Sequence, residues 1–383
     1  MLSILVLGCA SSTGNRSKTV APPPFVFRKL ELEQKKSSGD IDWKLSSPEA
    51  RYELSRRLVR AKQPTGILYS NNNPSFKIRA DFAVVINDGE QIILEGDVQL
   101  QQIKGQKILI KGERLRWQPQ LSRLVMERYP RAFDDRSRIT ATFAVLQQDT
   151  NDLMLRGPVQ LDRWKDKIAL TVKPDTAVRT GKAFWNLGNG SLKALGPVLG
   201  QRRDQEGVVL EQLEGRELIG NTQKGVITVK SPVIVTLPKN KGLLRAKDTS
   251  WNFRQQTLSS NDPFQGLINE TQINGKRFLA ELDQSSVVIP EGCRIQQPGE
   301  LLKARQCRWN WKTDEVLATG GVRLERDDNN QITEAQTLSG SVGEEGSLTF
   351  TAPGNKVRSE LTIEEEASDQ DPTPQRSQPP VLF

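Results

Sequence analysis

The chain of 383 residues has no histidine, so it lacks both the commonest general base and the commonest transition-metal ligand. Serine-histidine triads and zinc sites built on imidazole are excluded. Hydrophobic residues are also scarce, at 36%, with aromatics at 6%, against an apolar share of about 45–50% in an ordinary globular domain. A thick, enclosed core is not expected. No apolar run approaches the roughly 18–20 residues of a membrane-spanning helix. Cysteines number three, too few for a disulfide-stapled scaffold.

What is present is alternation. From residue 76 to 363 apolar and polar side chains succeed one another with period two, interrupted by Gly, Asp, Asn or Pro, the mark of short antiparallel strands with one buried face. Ile92, Leu94, Val98 and Leu100 fall on one side, and Glu95, Asp97 and Gln99 on the other. Ile227, Val229, Val233, Val235 and Leu237 repeat the pattern. Two thin sheets need only every second residue to be apolar, which suits this composition.

The alternation is itself repeated. A small or turn-forming residue followed two positions later by a β-former recurs at Gly96-Asp97-Val98-Gln99-Leu100, Gly157-Pro158-Val159, Gly196-Pro197-Val198, Ser231-Pro232-Val233, Gly292-Cys293-Arg294-Ile295 and Gly320-Gly321-Val322. A second element is a tryptophan, at Trp117, Trp185, Trp251 and Trp309, spaced 68, 66 and 58 residues apart. Each unit reads as a strand, a turn, a strand ending in a large aromatic, and a turn back. A lone hairpin cannot hide its apolar side, whereas a stack of them encloses an extended apolar surface.

Charge is uneven. The chain carries +8, but Lys356 to the end is −3, leaving +11 on the body. A basic body suits a phosphate-bearing or otherwise anionic partner or simply a solvated surface. Nucleic acid is not expected, because the basic residues are spread along strands and do not cluster with aromatics. Glu364 to Phe383 is rich in Glu, Asp, Pro, Ser and Gln and is expected to be disordered. Glu49 to Lys62 is open to two readings, since Ser47-Pro48-Glu49 also makes a good helix start.

Ala80-Asp81-Phe82, Val85-Ile86-Asn87-Asp88-Gly89 and Ile92-Ile93-Leu94-Glu95-Gly96-Asp97-Val98 resemble the repeating signature of the lipopolysaccharide-transport β-jellyroll family, the OstA-like domains of LptA, LptC and the periplasmic part of LptD. Phe25 to Leu32 with Trp43-Lys44-Leu45 is similar to the first strands of LptC. The resemblance extends over roughly residues 25–363, and the chain is about twice the length of a usual LptC. It implies an all-β fold, an elongated, open, V-shaped antiparallel jellyroll, either one long or two stacked. The expected division is an anchor and tether over 1–24, jellyroll portions over 25–205 and 206–363, and an acidic tail over 364–383.

Val6-Leu7-Gly8-Cys9 resembles a lipobox, which makes Cys9 the expected lipidation site and Thr13 to Pro24 a tether. No Lys or Arg precedes Cys9, as a start placed too late would explain; the alternative is an unstructured start that happens to contain a cysteine. The expected location is the periplasm, with the lipid in the inner membrane. Cys293 and Cys307 flank the turn at Pro298-Gly299. They are either a disulfide or two buried thiols, and a two-residue turn sets 293 against 304, so a bridge to 307 needs a longer loop or a bulge.

The resemblance implies a non-enzymatic carrier of lipopolysaccharide or a related glycolipid, loaded by an inner-membrane ABC transporter and joined to other OstA-like jellyrolls by edge-strand pairing. Its groove would be lined by Val98, Leu100, Trp117, Val159, Trp185, Val198, Val233, Trp251, Trp309 and Val322. No cofactor or metal is implied. The alternative is a ligand-free structural β-solenoid of the envelope, with a closed, dry interior. An enzyme using paired carboxylates is the least favoured, because no acidic pair recurs in a recognisable setting.

Overall fold

The computed structural model describes residues 25–361 apart from 71, 106, 170, 328, 329, 342–346 and 355. The anchor with Cys9 and the tail over 364–383 lie outside the described residues. Among those described there are β-strands and one-turn 3-10 segments but no α-helix, and strands pair antiparallel. The chain divides into two compact units, residues 1–168 with 182–189, and residues 169–181 with 190–383.

The building rule is visible in the strand Gln91–Gln102. Its first half pairs with Phe82–Ile86 and its second half with Asn73–Arg79. One strand thus serves two sheets, which we call front and back, and the change of sheet falls at Gly96-Asp97. Both residues have positive φ, 74° and 33°, and the ladder to Leu109–Gln118 slips between Glu95 and Val98. This is a β-bulge used as a corner. The same slip occurs at Leu195/Val198 and Thr319/Val322, and Gly157, Gly196, Gly320 and Gly321 also have positive φ, a region glycine enters without a Cβ penalty.

Prolines stand at corners as well. Pro48, Pro64, Pro130, Pro158, Pro197, Pro232 and Pro263 all stand between a front-sheet pairing and a back-sheet pairing. The ladder is broken there, so a residue without an N–H forfeits no sheet hydrogen bond. Sequence reasoning took these Gly and Pro residues for turn-forming breaks between strands; they are bends within a rung. The reversals sit at the far ends of the strands, in 3-10 turns at Leu54–Arg56, Asn87–Gly89, Pro119–Leu121, Pro238–Asn240 and Leu282–Gln284.

The helical alternative for Glu49 to Lys62 is replaced by the end of the strand Ile41–Glu53, a 3-10 turn, and the strand Leu58–Lys62. Ser47-Pro48 is a corner, and the Ser47 hydroxyl donates to the carbonyl oxygens of Glu49 and Lys62 at 2.7 and 2.6 Å. Trp43 and Leu45 before it and Ala50 after it are buried, as alternation demands and as a helix from residue 49 would not allow.

In each unit the two sheets face each other across an apolar interior. In the first unit, Trp43 of the back sheet meets Trp117 of the front sheet edge to face at 5.5 Å. In the second, Trp251 of the front sheet lies over Gly200 of the back sheet, where a Cβ would be 3.7 Å from the ring. Phe264 and Phe278 pack edge to face around a corner at 4.9 Å. The sheets meet along the row of corners, the apex, and their reversals form two rims at the opposite side, the mouth.

The strand Phe25–Lys35 pairs with Ile41–Glu53 alone among the described pairings. Its Phe25, Val26 and Phe27 are exposed. Leu348–Thr351 and Arg358–Glu360 likewise pair only with Gln331–Ser341. These are edge strands with unpaired backbone groups.

Candidate functional site

The sequence-predicted groove residues lie on the inner faces of the sheets but at two depths. Val98, Val159, Val198, Val233 and Val322 are the first inward residues of the back sheet beyond a corner, and all are buried at the apex. Leu100 follows Val98 by one inward step. Trp117, Trp185, Trp251 and Trp309 are buried at the opposite end of their strands, next to the rim turns. Within each unit, valines and tryptophans therefore lie at two separate depths.

Trp43 joins the rim row from the back sheet, and alternation through Trp43 and Leu45 was the signal for it. Sequence reasoning also passed over charged residues on inner faces. Gly200 and Leu213 face inward, and by parity so do Arg202 and Glu211, one ladder pair further out. Arg202 donates to Glu211 from Nε and Nη2 at 2.6 and 2.7 Å, and each side chain is only 14% exposed. Asp283 of the front rim reaches Arg202 from across the mouth at 3.5 Å. A second pair, Arg326 Nε to Glu300 at 2.7 Å, stands at the same level with Gln297 donating to Glu300.

Below each pair is a small cavity of about 20 Å³. One is bounded by Gly200, Leu213, Val235, Trp251, Leu258 and Leu282 beneath Arg202 and Glu211. The other is bounded by Ile295, Leu302, Trp309, Leu324 and Leu338 beneath Glu300. Such a volume holds about one water. Gly200 on the inner face lets the opposing Trp251 ring close in beside one of these cavities.

The mouth of the first unit is bridged too. Gln148 of the front rim donates to the Tyr69 carbonyl of the back sheet at 2.7 Å. Lys36 stands 3.8 Å from both Asp42 and Asp149. Burial pushes the Asp42 carboxyl above its usual value, with Lys36 opposing and Asp149 adding to the shift.

Four tryptophans share an electrostatic feature. The Nε1–H groups of Trp43, Trp117, Trp251 and Trp309 are buried without an acceptor. A buried donor left unpaired costs about 1–3 kcal/mol, so a row of them calls for an explanation.

Cys293 and Cys307 are joined as a disulfide, with Cα atoms 5.9 Å apart. Cys293 does pair with Ala304 in its hairpin, but Cys307 lies past the corner at Arg305, on the front strand, opposite Ile289. The bridge therefore needs neither a long loop nor a bulge in the hairpin; it passes between the sheets.

Among the described residues no group of His, Cys, Asp and Glu is placed to hold a metal ion, and no helix is long and apolar enough to cross a membrane. The arrangement offers an apolar slot with polar lips, which suits an amphiphile. No curated protein matches the chain. Residues 2–125, the first third of the chain, match the model of the family described as lipopolysaccharide-assembly, LptC-related.

Proposed function

We propose that the protein is a non-enzymatic periplasmic carrier, a bridge that takes lipopolysaccharide or a related glycolipid from an inner-membrane ABC transporter and passes it toward the outer membrane. The acyl chains lie between the sheets and the sugars stay in water. The observation that carries this reading is the LptC-related stretch over residues 2–125, supported by inner faces that are apolar from apex to rim in both units.

The two cavities of about 20 Å³ beneath Arg202–Glu211 and Arg326–Glu300 are too narrow for an acyl chain, so there the sheets must part along the rims. The energetics permit it. Each buried methylene contributes about 0.8 kcal/mol, whereas an ion pair with one largely exposed partner, as Asp283 is to Arg202, contributes about 1 kcal/mol. A few methylenes offset the loss of the bridges across the mouth. Direction comes from the transporter that loads the chain. The edge strands Phe25–Lys35 and Arg358–Glu360 pair with neighbouring OstA-like jellyrolls by β-augmentation, and Cys9 carries the lipid that holds the protein at the inner membrane.

The narrow cavities favour the second reading, a ligand-free structural array. Photo-crosslinking in living cells separates the two. A bulky photoreactive phenylalanine replaces Trp117, Trp251 or Trp309 within the interior, and Gln101, Ile234 or Leu267 on outer faces. Capture of lipopolysaccharide by the inner set alone is expected for a carrier. Equal labelling of both sets, or none from the inner one, would leave the structural array.

A further inference from the structure

The unpaired indole donors are placed in a particular order relative to the rest of the interior. From apex to mouth, the second unit presents aliphatic side chains at Val198, Val233 and Val322, then the indoles of Trp251 and Trp309, then the inward ion pairs Arg202–Glu211 and Arg326–Glu300. Each indole lines its own small cavity directly beneath one of those pairs. The Nε1–H of each is buried without an acceptor, in side chains only 4% and 2% exposed.

An acylated sugar has the same polarity sequence, read from tail to head. Its methylenes need only apolar walls. Its ester or amide carbonyl, at the head end of each chain, is a hydrogen-bond acceptor that enters the apolar phase with the chain and must find a donor there. Its sugar and any anionic group remain at the water boundary, within reach of charged side chains. A purely alkyl ligand leaves the indole donors as it finds them.

We propose that Trp251 and Trp309 are carbonyl-recognition residues, each donating from Nε1 to the linkage carbonyl of an acyl chain lodged beneath Arg202–Glu211 or Arg326–Glu300, and so select acylated over alkylated lipids. This rests on the carrier reading and adds the substrate feature that is read. Trp43 and Trp117 share the unpaired donor in the first unit, but they lie edge to face, and the argument stands on the two that do not.

The test uses the full chain and a matched pair of probes below their micellar concentrations: maltose bearing a dodecanoyl ester, and maltose bearing a dodecyl ether at the same hydroxyl. The ester should bind about five- to tenfold more tightly, as one or more recovered hydrogen bonds would give. The Trp251→Phe/Trp309→Phe double variant should bind both equally, at the affinity of the ether. In ¹H–¹⁵N spectra of the wild-type chain, the indole N–H resonances of Trp251 and Trp309 should move downfield with the ester alone, and this decides the matter if the double variant fails to fold. Equal affinity of the wild-type chain for both probes, or an ester preference that survives in the double variant, overturns carbonyl recognition and leaves carriage standing. Binding of neither probe overturns both.

Discussion

Cys293 and Cys307 tie the back sheet to the front sheet of the second unit, Cα to Cα at 5.9 Å, around the corner at Arg305. The bridge closes a loop of 14 residues and restricts the unfolded chain, an effect worth about 3 kcal/mol for a loop of this size. Cys293→Ser/Cys307→Ser should lower the stability of the second unit by about 2–3 kcal/mol. Urea unfolding of the variant beside oxidised and reduced wild type checks this, with reductant shifting the wild type only.

Gly157 bends its strand from one sheet to the other with φ of 87°. A Cβ there would stand 2.9 Å from the Cβ of Thr142. Gly157→Ala combines an unfavourable backbone with overpacking and should cost about 1–3 kcal/mol. Gly181, where a Cβ would meet only the Leu195 carbonyl at 3.8 Å, is the control, and Gly181→Ala should change stability by less than about 0.5 kcal/mol. Denaturation midpoints of the two variants measure the difference.

Arg202 and Glu211 test whether an inward ion pair in this fold is a stability device. Arg202→Met strands the Glu211 carboxylate in a largely buried position and should cost about 2–4 kcal/mol. Arg202→Met/Glu211→Leu removes both charges and should recover most of that loss. A double-mutant cycle by urea unfolding gives the coupling directly. A double variant as unstable as the single one would show that neither charge is a burden to the fold.

Asp248 gives the fold a pH dependence. Lys230 donates to its carboxylate at 2.7 Å and the Ser231 N–H at 2.9 Å, which holds its carboxyl below the usual range, the Lys230 hydrogen bond contributing most. A lowered folded-state value contributes stability above the unfolded value of about 3.9, and that stability is lost as pH falls through the folded one. The side chain is 41% exposed, so solvent screening keeps the contribution below about 1 kcal/mol. Asp248→Asn should therefore lower the thermal midpoint by a few degrees at most at pH 7, and wild type and variant should converge as pH falls through the lowered folded-state value.

Some of this architecture is written in the sequence and some is not, for identifiable reasons. Gly96, Gly157, Gly196 and Gly320 stand out because glycine enters the positive-φ region without a Cβ penalty, so these corners leave a letter behind, whereas the corner at Arg305 leaves none. What that letter cannot convey is whether the chain bends or reverses, since Gly and Pro serve both. Spacing found the tryptophan series, but depth is set by how far each Trp lies from its corner, and only the fold supplies that origin. Arg202 and Glu211 keep inward parity with Gly200 and Leu213, yet a charged residue in an exposed-looking stretch is naturally assigned to the surface. Ladder register correctly set Cys293 against Ala304, but register runs within a sheet and is blind to the one opposite.

The corners also bear on how such a chain can change in length. Because each rung supplies a segment to both sheets, one residue inserted between a corner and a rim inverts every side chain beyond it, turning valine outward and lysine inward. Insertions of a few residues are tolerable only in the rim turns. Growth proceeds instead by whole rungs, a front and a back segment with the corner between them, each leaving behind an edge like the one it covered. Duplication of a rung lengthens a unit of this kind without disturbing the inward and outward faces of the rungs already there.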